Sequence, residues 1–379
     1  MKKKLLSFLL VLTLLLSITA CGQAPTNNNS NTNTTSNTND TNEINNSNTN
    51  NNPTNTEAGS ELPTVEPTPS DLLVTQYPVT VTDQAGREVT IESEPQKLVS
   101  GYYISTSLLI ALDLDEKLVG IEAKANKRPI YKLSAPALID LPNVGTAKEF
   151  DLEGCIALEP DLVILPMKLK NTAETLEKLN IDVLYVNPES QELLTEMMHL
   201  IGTATNTQKE TKALMDFMSK YEATLTNTLA SEKAPTVYLA GNSNMLSTAG
   251  SAMYQSNMIT LAGGKNVAAD ITDTYWVEIS YEQLLTWNPD YIILASDASY
   301  SVEDVLSDKN LSDCTAVKNG NVYQLPSDAE SWDSPVPSGI LGSVWVATIL
   351  HKDLISTNDA TAIIDEYYET FYNFKYSEK

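Results

Sequence analysis

Short apolar runs alternate with segments of helical period along most of the chain. Residues 79–92 first alternate apolar and polar side chains around a turn-forming segment at 83–87, which predicts a β-hairpin. Apolar runs typical of buried strands follow at residues 97–100, 118–122, 161–165, 182–186, 236–240, 291–295 and 322–325. Because helical patterns separate these runs, their order predicts parallel α/β layers.

A segment without Gly or Pro lies between the two groups of strands. Residues 206–232 place apolar side chains at helical spacing, namely Leu214, Phe217, Met218, Tyr221 and Leu225. This pattern predicts one long helix. We therefore expect an N-terminal lobe with a leading hairpin over residues 73–205, a connecting helix over 206–233 and a C-terminal lobe over 234–379.

An internal repeat links the two halves. Residues 151–165 match residues 280–294 at a constant offset of 129 positions. Each copy begins with a residue that can cap a helix, carries a Glu two positions later, and reaches an apolar strand through a Pro-Asp pair. Each copy is therefore predicted to form a capped helix, a turn and a buried strand. The repeat predicts two similar lobes that face each other.

The first residues have the pattern of a secretory signal. Three lysines precede an apolar run over residues 5–20 that is too short to predict a spanning helix. The run ends in Leu-Ser-Ile-Thr-Ala-Cys-Gly, which resembles the lipobox of bacterial lipoproteins. The resemblance implies a signal peptide over residues 1–20 and a diacylated Cys21, and two acyl chains suffice for stable attachment. An ordinary secretory signal that happens to contain a Cys is the alternative.

Composition sets the segment after Cys21 apart from the rest. Residues 21–72 are almost entirely Asn, Thr, Ser, Pro and acidic residues, which cannot bury a core, and we predict a disordered linker there. The 48 residues from 23 to 70, as a flexible chain, would span roughly 38 Å on average. The whole chain has a formal net charge of −25, which disfavours nucleic acid as a partner. The remaining cysteines, Cys155 and Cys314, lie in separate halves and are predicted to be free buried thiols rather than a disulfide.

Several motifs together resemble the siderophore, haem and cobalamin class of ABC transporter substrate-binding lipoproteins. They are the hairpin segment 81–87, the Glu-Pro-Asp and Asn-Pro-Asp sequences before the repeated strands, Ala-Gly-Gly-Lys-Asn-Val at 262–267, and the segment 276–282. The resemblance extends from residue 79 to the C-terminal helix. It implies the class III periplasmic binding protein fold, an α/β fold with two Rossmann-like lobes joined by a single long helix. A cleft between the lobes and modest closure on binding are also implied.

Cations cluster on the loops where a ligand is expected. In open α/β sheets, ligands lie outside the carboxyl ends of the strands. The loops after the first-lobe strands carry seven cations, Lys124, Lys127, Arg128, Lys132, Lys148, Lys168 and Lys170. Such a cluster predicts a positive mouth for an anionic ligand, although loops are often charged without a ligand. Arg128, one of only two arginines, suits bidentate contact with carboxylate or catecholate oxygens.

From these loops and from the matching loops of the second half, we select candidate ligand-binding residues. They are Tyr102, Tyr103, Lys124, Arg128, Lys148, Lys168, Tyr254, Trp276 and Trp332. Core packing is an equal alternative for the first two tyrosines, and a plug between sheet and helix is an equal alternative for Trp332. The cations favour an anionic chelate, so a ferric siderophore ranks first, followed by haem, a corrinoid and a metal oxyanion.

A site for a bare metal ion is not predicted. Such a site needs convergent His, Cys or carboxylate ligands, and the chain has only two histidines. His199 and His351 both fall on helical segments and are predicted to be scaffold residues. Haem held by an axial Tyr or Met remains open. We expect no resident cofactor.

The repeated glutamates suggest a membrane partner. Glu153 and Glu282 hold matching positions in the two copies, and in the resembling family such glutamates dock on arginines of the permease. A dimeric ABC permease with its ATPase would suit one carboxylate on each lobe of a monomer. The alternative is that each Glu only complements the positive end of its helix.

Binding rather than catalysis is the predicted activity. The chain lacks a nucleophile elbow, a Walker loop, a dinucleotide Gly fingerprint and a paired His-Glu metal motif, so no catalytic residue is assigned. We expect an extracytoplasmic solute-binding lipoprotein, anchored on the outer face of the cell membrane, in a Gram-positive bacterium. A surface sensor or hydrolase domain on the same scaffold is the rival prediction.

Overall fold

The computed structural model describes residues 73–272 and 275–379. The predicted signal peptide, the predicted lipid attachment at Cys21 and the predicted linker up to residue 72 lie outside the described residues. Within the two described ranges, no helix combines the length and the apolar character needed to cross a bilayer.

The part of the chain before the long helix, called the N-lobe below, contains a hairpin and a four-stranded parallel sheet. In the hairpin, β1 (Val79–Thr82) pairs antiparallel with β2 (Glu88–Ile91), as the alternation predicts. The sheet strands are β3 (Leu98–Ser100), β4 (Leu118–Ile121), β5 (Leu162–Pro166) and β6 (Asp182–Val186), in the order β4-β3-β5-β6. The helices are α1 (Tyr103–Ala111), α2 (Pro129–Ser134), α3 (Leu152–Ala157), α4 (Ala173–Glu177) and α5 (Gln191–Ala204).

A 22-residue helix, α6 (Gln208–Leu229), follows the N-lobe, as the periodicity predicts. It buries the stripe of apolar side chains that the sequence places at helical spacing, from Leu214 to Leu225. Its opposite face carries charged residues such as Lys212 and Asp216, which pair across one helical turn. The stripe therefore packs α6 against both lobes while its polar face remains in water.

The rest of the chain, called the C-lobe below, repeats the parallel α/β layers. Its strands are β7 (Thr236–Ala240), β8 (Ser247–Ala249), β9 (Lys265–Asn266), β10 (Trp276–Glu278), β11 (Tyr291–Leu294) and β12 (Val322–Gln324). One parallel sheet has the order β12-β11-β7-β9, and β8 and β10 form a separate antiparallel pair. The helices are α7 (Tyr254–Leu261), α8 (Tyr281–Trp287), α9 (Val302–Leu306), α10 (Thr315–Lys318), α11 (Ile340–Leu350) and α12 (Thr357–Tyr372).

The sequence repeat corresponds to the same local structure in both lobes. The Asp151 carboxylate accepts a hydrogen bond from the backbone N–H of Gly154 (2.9 Å), and the Ser280 hydroxyl accepts one from Gln283 (3.1 Å). Each side chain thereby caps its helix, α3 or α8. Each helix then ends at a left-handed residue directly before the Pro, namely Glu159 (φ 50°) or Asn288 (φ 44°).

The aspartates after the repeated prolines tie neighbouring strands together. Asp161 accepts hydrogen bonds from the backbone N–H groups of Gln96 (2.8 Å) and Lys97 (2.9 Å), next to the start of β3. Asp290 accepts from the backbone N–H and the hydroxyl of Thr236, both at 2.8 Å, at the start of β7. The Pro-Asp pair therefore does more than end a helix, because it also anchors the adjacent strand.

One hydrophobic core runs through both lobes. A single cluster of buried side chains contains residues from the N-lobe, from α6 and from the C-lobe. Polar contacts reinforce it where α1 meets α12, because the hydroxyl groups of Ser107 and Tyr372 lie 3.0 Å apart and are buried. A shared close-packed core resists rotation of one lobe against the other.

The two cysteines and the two histidines lie in the scaffold. Cys155 and Cys314 are free and buried, which confirms the prediction for them. His351 is 9% exposed, and its Nε2 lies 3.2 Å from the carbonyl oxygen of Gly263. His199 lies on α5 with an exposed side chain.

Candidate functional site

A cavity of about 410 Å³ lies between the lobes. Its N-lobe wall consists of Tyr103, Lys124, Lys127, Arg128, Pro129, Ile130 and Tyr131. Its C-lobe wall consists of Asp297, Ser327, Ala329, Glu330, Ser331 and Val336. These residues follow β3, β4, β11 and β12, so the cavity lies at the carboxyl ends of strands from both sheets, where a ligand was predicted.

Local backbone chemistry places the cations on the N-lobe wall. Lys124 adopts a left-handed conformation (φ 73°) and starts a single 3-10 turn after β4. Pro129 then occupies the first position of α2, where its fixed φ suits a helix start. The residue before a proline is held extended, and Arg128 has φ −95° and ψ 107°. Three cations therefore occur within five residues beside the cavity.

Arg128 packs on an aromatic ring. Its guanidinium carbon lies 3.9 Å from the centroid of the Tyr103 ring. Tyr103 is in turn held edge-on by Tyr102 at 5.3 Å, and its hydroxyl donates to Ser334 of the C-lobe at 3.3 Å. Within the part of the chain that the structure describes, Arg128 forms no ion pair. Its N–H donors are therefore oriented but not committed to a carboxylate.

A buried carboxyl supports this wall from behind. Glu122 is 6% exposed and accepts hydrogen bonds from the Tyr131 hydroxyl (2.6 Å) and the Thr106 hydroxyl (2.7 Å). Burial raises the pKa of Glu122, and the two hydrogen bonds and the nearby charge of Arg128 partly oppose that rise. The network fixes the orientation of Tyr131 at the cavity surface.

The C-lobe wall is acidic. Asp297 is exposed and accepts a hydrogen bond from the Ser331 hydroxyl at 2.9 Å. Glu330 is 8% exposed and accepts one from the Ser338 hydroxyl. Burial raises the pKa of Glu330 above that of an ordinary glutamate. The cavity therefore has walls of opposite character, basic on the N-lobe and acidic on the C-lobe.

The predicted site residues separate into three groups. Tyr103, Lys124 and Arg128 line the cavity. Lys148 and Lys168 are exposed on loops at strand ends and do not line the cavity. Trp276 is 40% exposed, and its ring lies against Gly241, the residue that directly follows β7. The third group packs against other protein side chains.

Tyr102, Tyr254 and Trp332 form that third group. Tyr102 is half-buried behind Tyr103. Tyr254 is 3% exposed and Trp332 is 1% exposed, and the Trp332 indole N–H donates to the Tyr368 hydroxyl at 2.8 Å. Neither Tyr254 nor Trp332 lines the cavity, and their contact with ligand stays a prediction.

Other residues of the cavity were not selected from the sequence. Lys127 belonged to the predicted cation cluster but not to the selected contacts. Asp297, Glu330 and Ser331 also lie outside the selected contacts. Their position after C-lobe strands is the feature of the sequence that could have identified them as cavity residues. A metal site is likewise not evident, since no three His, Cys, Asp or Glu side chains of the described ranges are grouped to hold an ion.

The repeated glutamates are exposed in the first turns of α3 and α8. Each of these helices is followed by a tight turn into a strand, so it runs back along its sheet. Its first turn therefore lies toward the carboxyl ends of the strands. Glu153 and Glu282 consequently occupy equivalent positions on the cleft side of their two lobes.

Comparison with known proteins identifies the family. Residues 98–329 match the family model described as periplasmic binding protein. The molybdate-binding protein MolA of Haemophilus influenzae is 25% identical over 323 residues, covering 78% of this chain and 91% of that protein. The uncharacterized ABC transporter substrate-binding lipoprotein YvrC of Bacillus subtilis is 27% identical over 269 residues, covering 68% and 82%.

Solved structures show the same fold. The crystal structure of a periplasmic solute binding protein from Veillonella parvula aligns with a TM-score of 0.68 at 27% identity, covering 78% of this chain and 93% of that one. The family match spans more than half of the chain. Together with two α/β lobes joined by one long helix, it shows that the chain belongs to the periplasmic binding protein family and has the class III fold.

Proposed function

We propose that this chain is the extracytoplasmic solute-binding lipoprotein of an ABC importer and that it captures an anionic metal complex in the cavity between its lobes. One observation carries the proposal: three cations, Lys124, Lys127 and Arg128, line one wall without ion pairs among the described residues, in a chain of net charge −25. A positive wall on an acidic protein attracts an anionic ligand.

A ferric siderophore is the first candidate ligand. Carboxylate or catecholate oxygens match the donors of Arg128, whose guanidinium is already oriented by Tyr103. A large chelate would extend beyond the cavity and reach Lys148, Lys168 and Trp276 at the carboxyl ends of the strands. These three residues therefore belong to the proposed outer contacts.

A metal oxyanion is the second candidate. It is favoured by the similarity to the molybdate-binding protein MolA, which extends over 91% of that protein. Haem and a corrinoid rank below both. The lining side chains include no His or Met, and the Tyr103 and Tyr131 hydroxyls already donate hydrogen bonds to protein atoms. A hydrolase or sensor role on this scaffold is the remaining alternative.

Delivery is proposed to follow the family pattern. Diacylated Cys21 would hold the protein at the outer face of the cell membrane, and the linker over residues 21–72 would let the two-lobed body reach the permease. Glu153 and Glu282 would dock on arginines of a permease dimer. This assignment is supported by the equivalent, exposed positions of the two carboxylates.

The absorbance spectrum of the protein purified from its native host tests the ligand class. A broad visible charge-transfer band is expected for a bound ferric siderophore, whereas a Soret band or a corrin spectrum would contradict that assignment. If the protein is purified without ligand, calorimetric titration with a ferric tris-catecholate complex and with molybdate separates the two candidates. Hydrolysis of any chelate during the titration would favour the enzymatic alternative.

A further inference from the structure

The two walls of the cavity carry opposite charges that do not compensate each other. Lys124, Lys127 and Arg128 line the N-lobe side, and Asp297 and Glu330 line the C-lobe side. Over residues 73–272 and 275–379, none of these five side chains takes part in an ion pair. Facing charges that do not pair with each other can be satisfied by a molecule between them.

Asp297 is the more informative of the two acids. It is the third residue after β11, and one carboxylate oxygen accepts a hydrogen bond from the Ser331 hydroxyl at 2.9 Å. The side chains and backbone that the structure describes donate no hydrogen bond to its other oxygen, which therefore remains available. An ionised carboxylate only accepts hydrogen bonds, so a ligand group that meets it must donate. A group with only acceptors would be repelled and left unpaired.

Glu330 presents a different surface on the same wall. Its carboxyl is buried, and one oxygen accepts the Ser338 hydroxyl proton. Burial favours the neutral form of the Glu330 carboxyl, and its hydrogen bonds and the nearby charge of Arg128 oppose this effect only in part, so Glu330 contributes less negative charge than an exposed carboxylate would. The sign of the interaction with ligand is therefore best tested at Asp297.

If the chain captures a ligand as proposed above, the two walls describe that ligand more closely. We propose that the ligand is amphoteric, with anionic groups toward Lys124, Lys127 and Arg128 and a cationic or hydrogen-bond-donating group toward Asp297. A bare oxyanion would satisfy only the N-lobe wall. A metal chelate that carries an amine or a free hydroxyl besides its anionic ligating groups would satisfy both walls.

Two ferric tris-catecholate complexes that differ in one group test the inference. One carries a pendant ammonium group, and in the other the same nitrogen is acetylated. Calorimetric titration of the full chain is expected to show about tenfold tighter binding of the ammonium complex. Asp297→Asn is expected to remove this preference. Asp353→Asn, which removes the same charge from an exposed site near the amino ends of the C-lobe strands, is expected to keep it.

The outcomes separate this inference from the capture function. Equal binding of the two complexes by the wild type, or tighter binding of the acetylated one, overturns the amphoteric ligand and leaves capture of anionic complexes standing. If Asp297→Asn tightens the binding of both complexes equally, the amphoteric ligand is likewise overturned, because Asp297 would then only repel the anionic complex. If the protein binds neither complex, the inference is overturned, whether or not molybdate binds. If it binds neither complex and no molybdate, the result also counts against the proposed function.

Discussion

The Arg128 guanidinium stacks on the Tyr103 ring at 3.9 Å, and the hydroxyl of that ring reaches across to Ser334 of the opposite lobe. Tyr103, the first residue of α1, thus orients Arg128 and also contacts the C-lobe. A guanidinium held over a ring loses less rotational freedom when it binds an anion. The pair connects the ligand wall of one lobe to the position of the other.

Two substitutions at Tyr103 separate the roles of its ring and its hydroxyl. Tyr103→Phe keeps the ring under Arg128 and removes only the 3.3 Å hydrogen bond to Ser334, so affinity for a ferric tris-catecholate should fall by no more than about threefold. Tyr103→Leu removes the ring and should weaken binding about tenfold, because cation–π pairs contribute about 1 kcal/mol or more. Titration calorimetry measures both variants. A larger loss in Tyr103→Phe than in Tyr103→Leu would show that the inter-lobe contact, and not the stacking, governs affinity.

Asp182 makes the stability of the N-lobe depend on pH. Burial, followed by the charges of Glu177, Glu92 and Asp161, raises its pKa from 3.8 to about 6. The folded state therefore holds this proton more tightly than the unfolded state, and stability falls as pH rises from about 4 to about 6.

Asp182→Asn should remove that loss. At pH 7.5 we expect it to stabilise the protein by about 1 kcal/mol, an amount already reduced for solvent screening of this half-exposed group. At pH 4 the variant and the wild type should unfold at nearly the same temperature. Thermal unfolding at both pH values measures the effect, with Asp140→Asn as the control at an exposed site. Equal stabilisation at both pH values would mean that ionisation of Asp182 is not the cause.

Asp161 and Asp290 should contribute to stability without contributing to binding. Replacement of either by Ala leaves the N–H groups before or at the start of the neighbouring strand without their acceptor. A loss of about 1 kcal/mol of unfolding free energy is expected for Asp161→Ala, and somewhat more for the less exposed Asp290→Ala. Chemical denaturation measures the loss, and ligand affinity should be unchanged. An altered affinity with unchanged stability would contradict this structural role.

The repeat shows what the sequence could predict and where it could not. Strand runs, the hairpin, the capped helices and α6 follow from local periodicity and turn residues, so their existence was predicted within a few positions. The short strands β8 and β10 were not predicted, because they are defined by their pairing with each other, which local sequence does not show. For Trp332 the sequence left a structural plug and ligand contact as equal alternatives, since its partner Tyr368 lies 36 residues further along the chain. The acidic wall could not be predicted, because local sequence does not show which loops from different strands face each other.

Docking on the permease is tested by charge reversal. Glu153→Lys combined with Glu282→Lys should abolish uptake of a ferric complex by cells that carry the importer, while affinity measured on the purified protein stays unchanged. Glu192 and Glu303 provide a matched control, because each is exposed and lies two residues after the Ser that caps its own helix. Reversal of these two carries the same cost at a helix N-terminus, about 0.3 to 1 kcal/mol each, and should preserve uptake. Equal loss of uptake in both pairs would favour the helix-end explanation over docking.

The affinity of the Arg128→Gln variant for an anionic metal complex tests the central claim most directly. Calorimetric titration with a ferric tris-catecholate should show at least about tenfold weaker binding than the wild type, because a charge-assisted contact is lost. Lys352→Gln removes one positive charge from an exposed site near the amino ends of the C-lobe strands and should bind as the wild type does. Binding by Arg128→Gln that equals that of the wild type would contradict capture of an anion by the N-lobe wall.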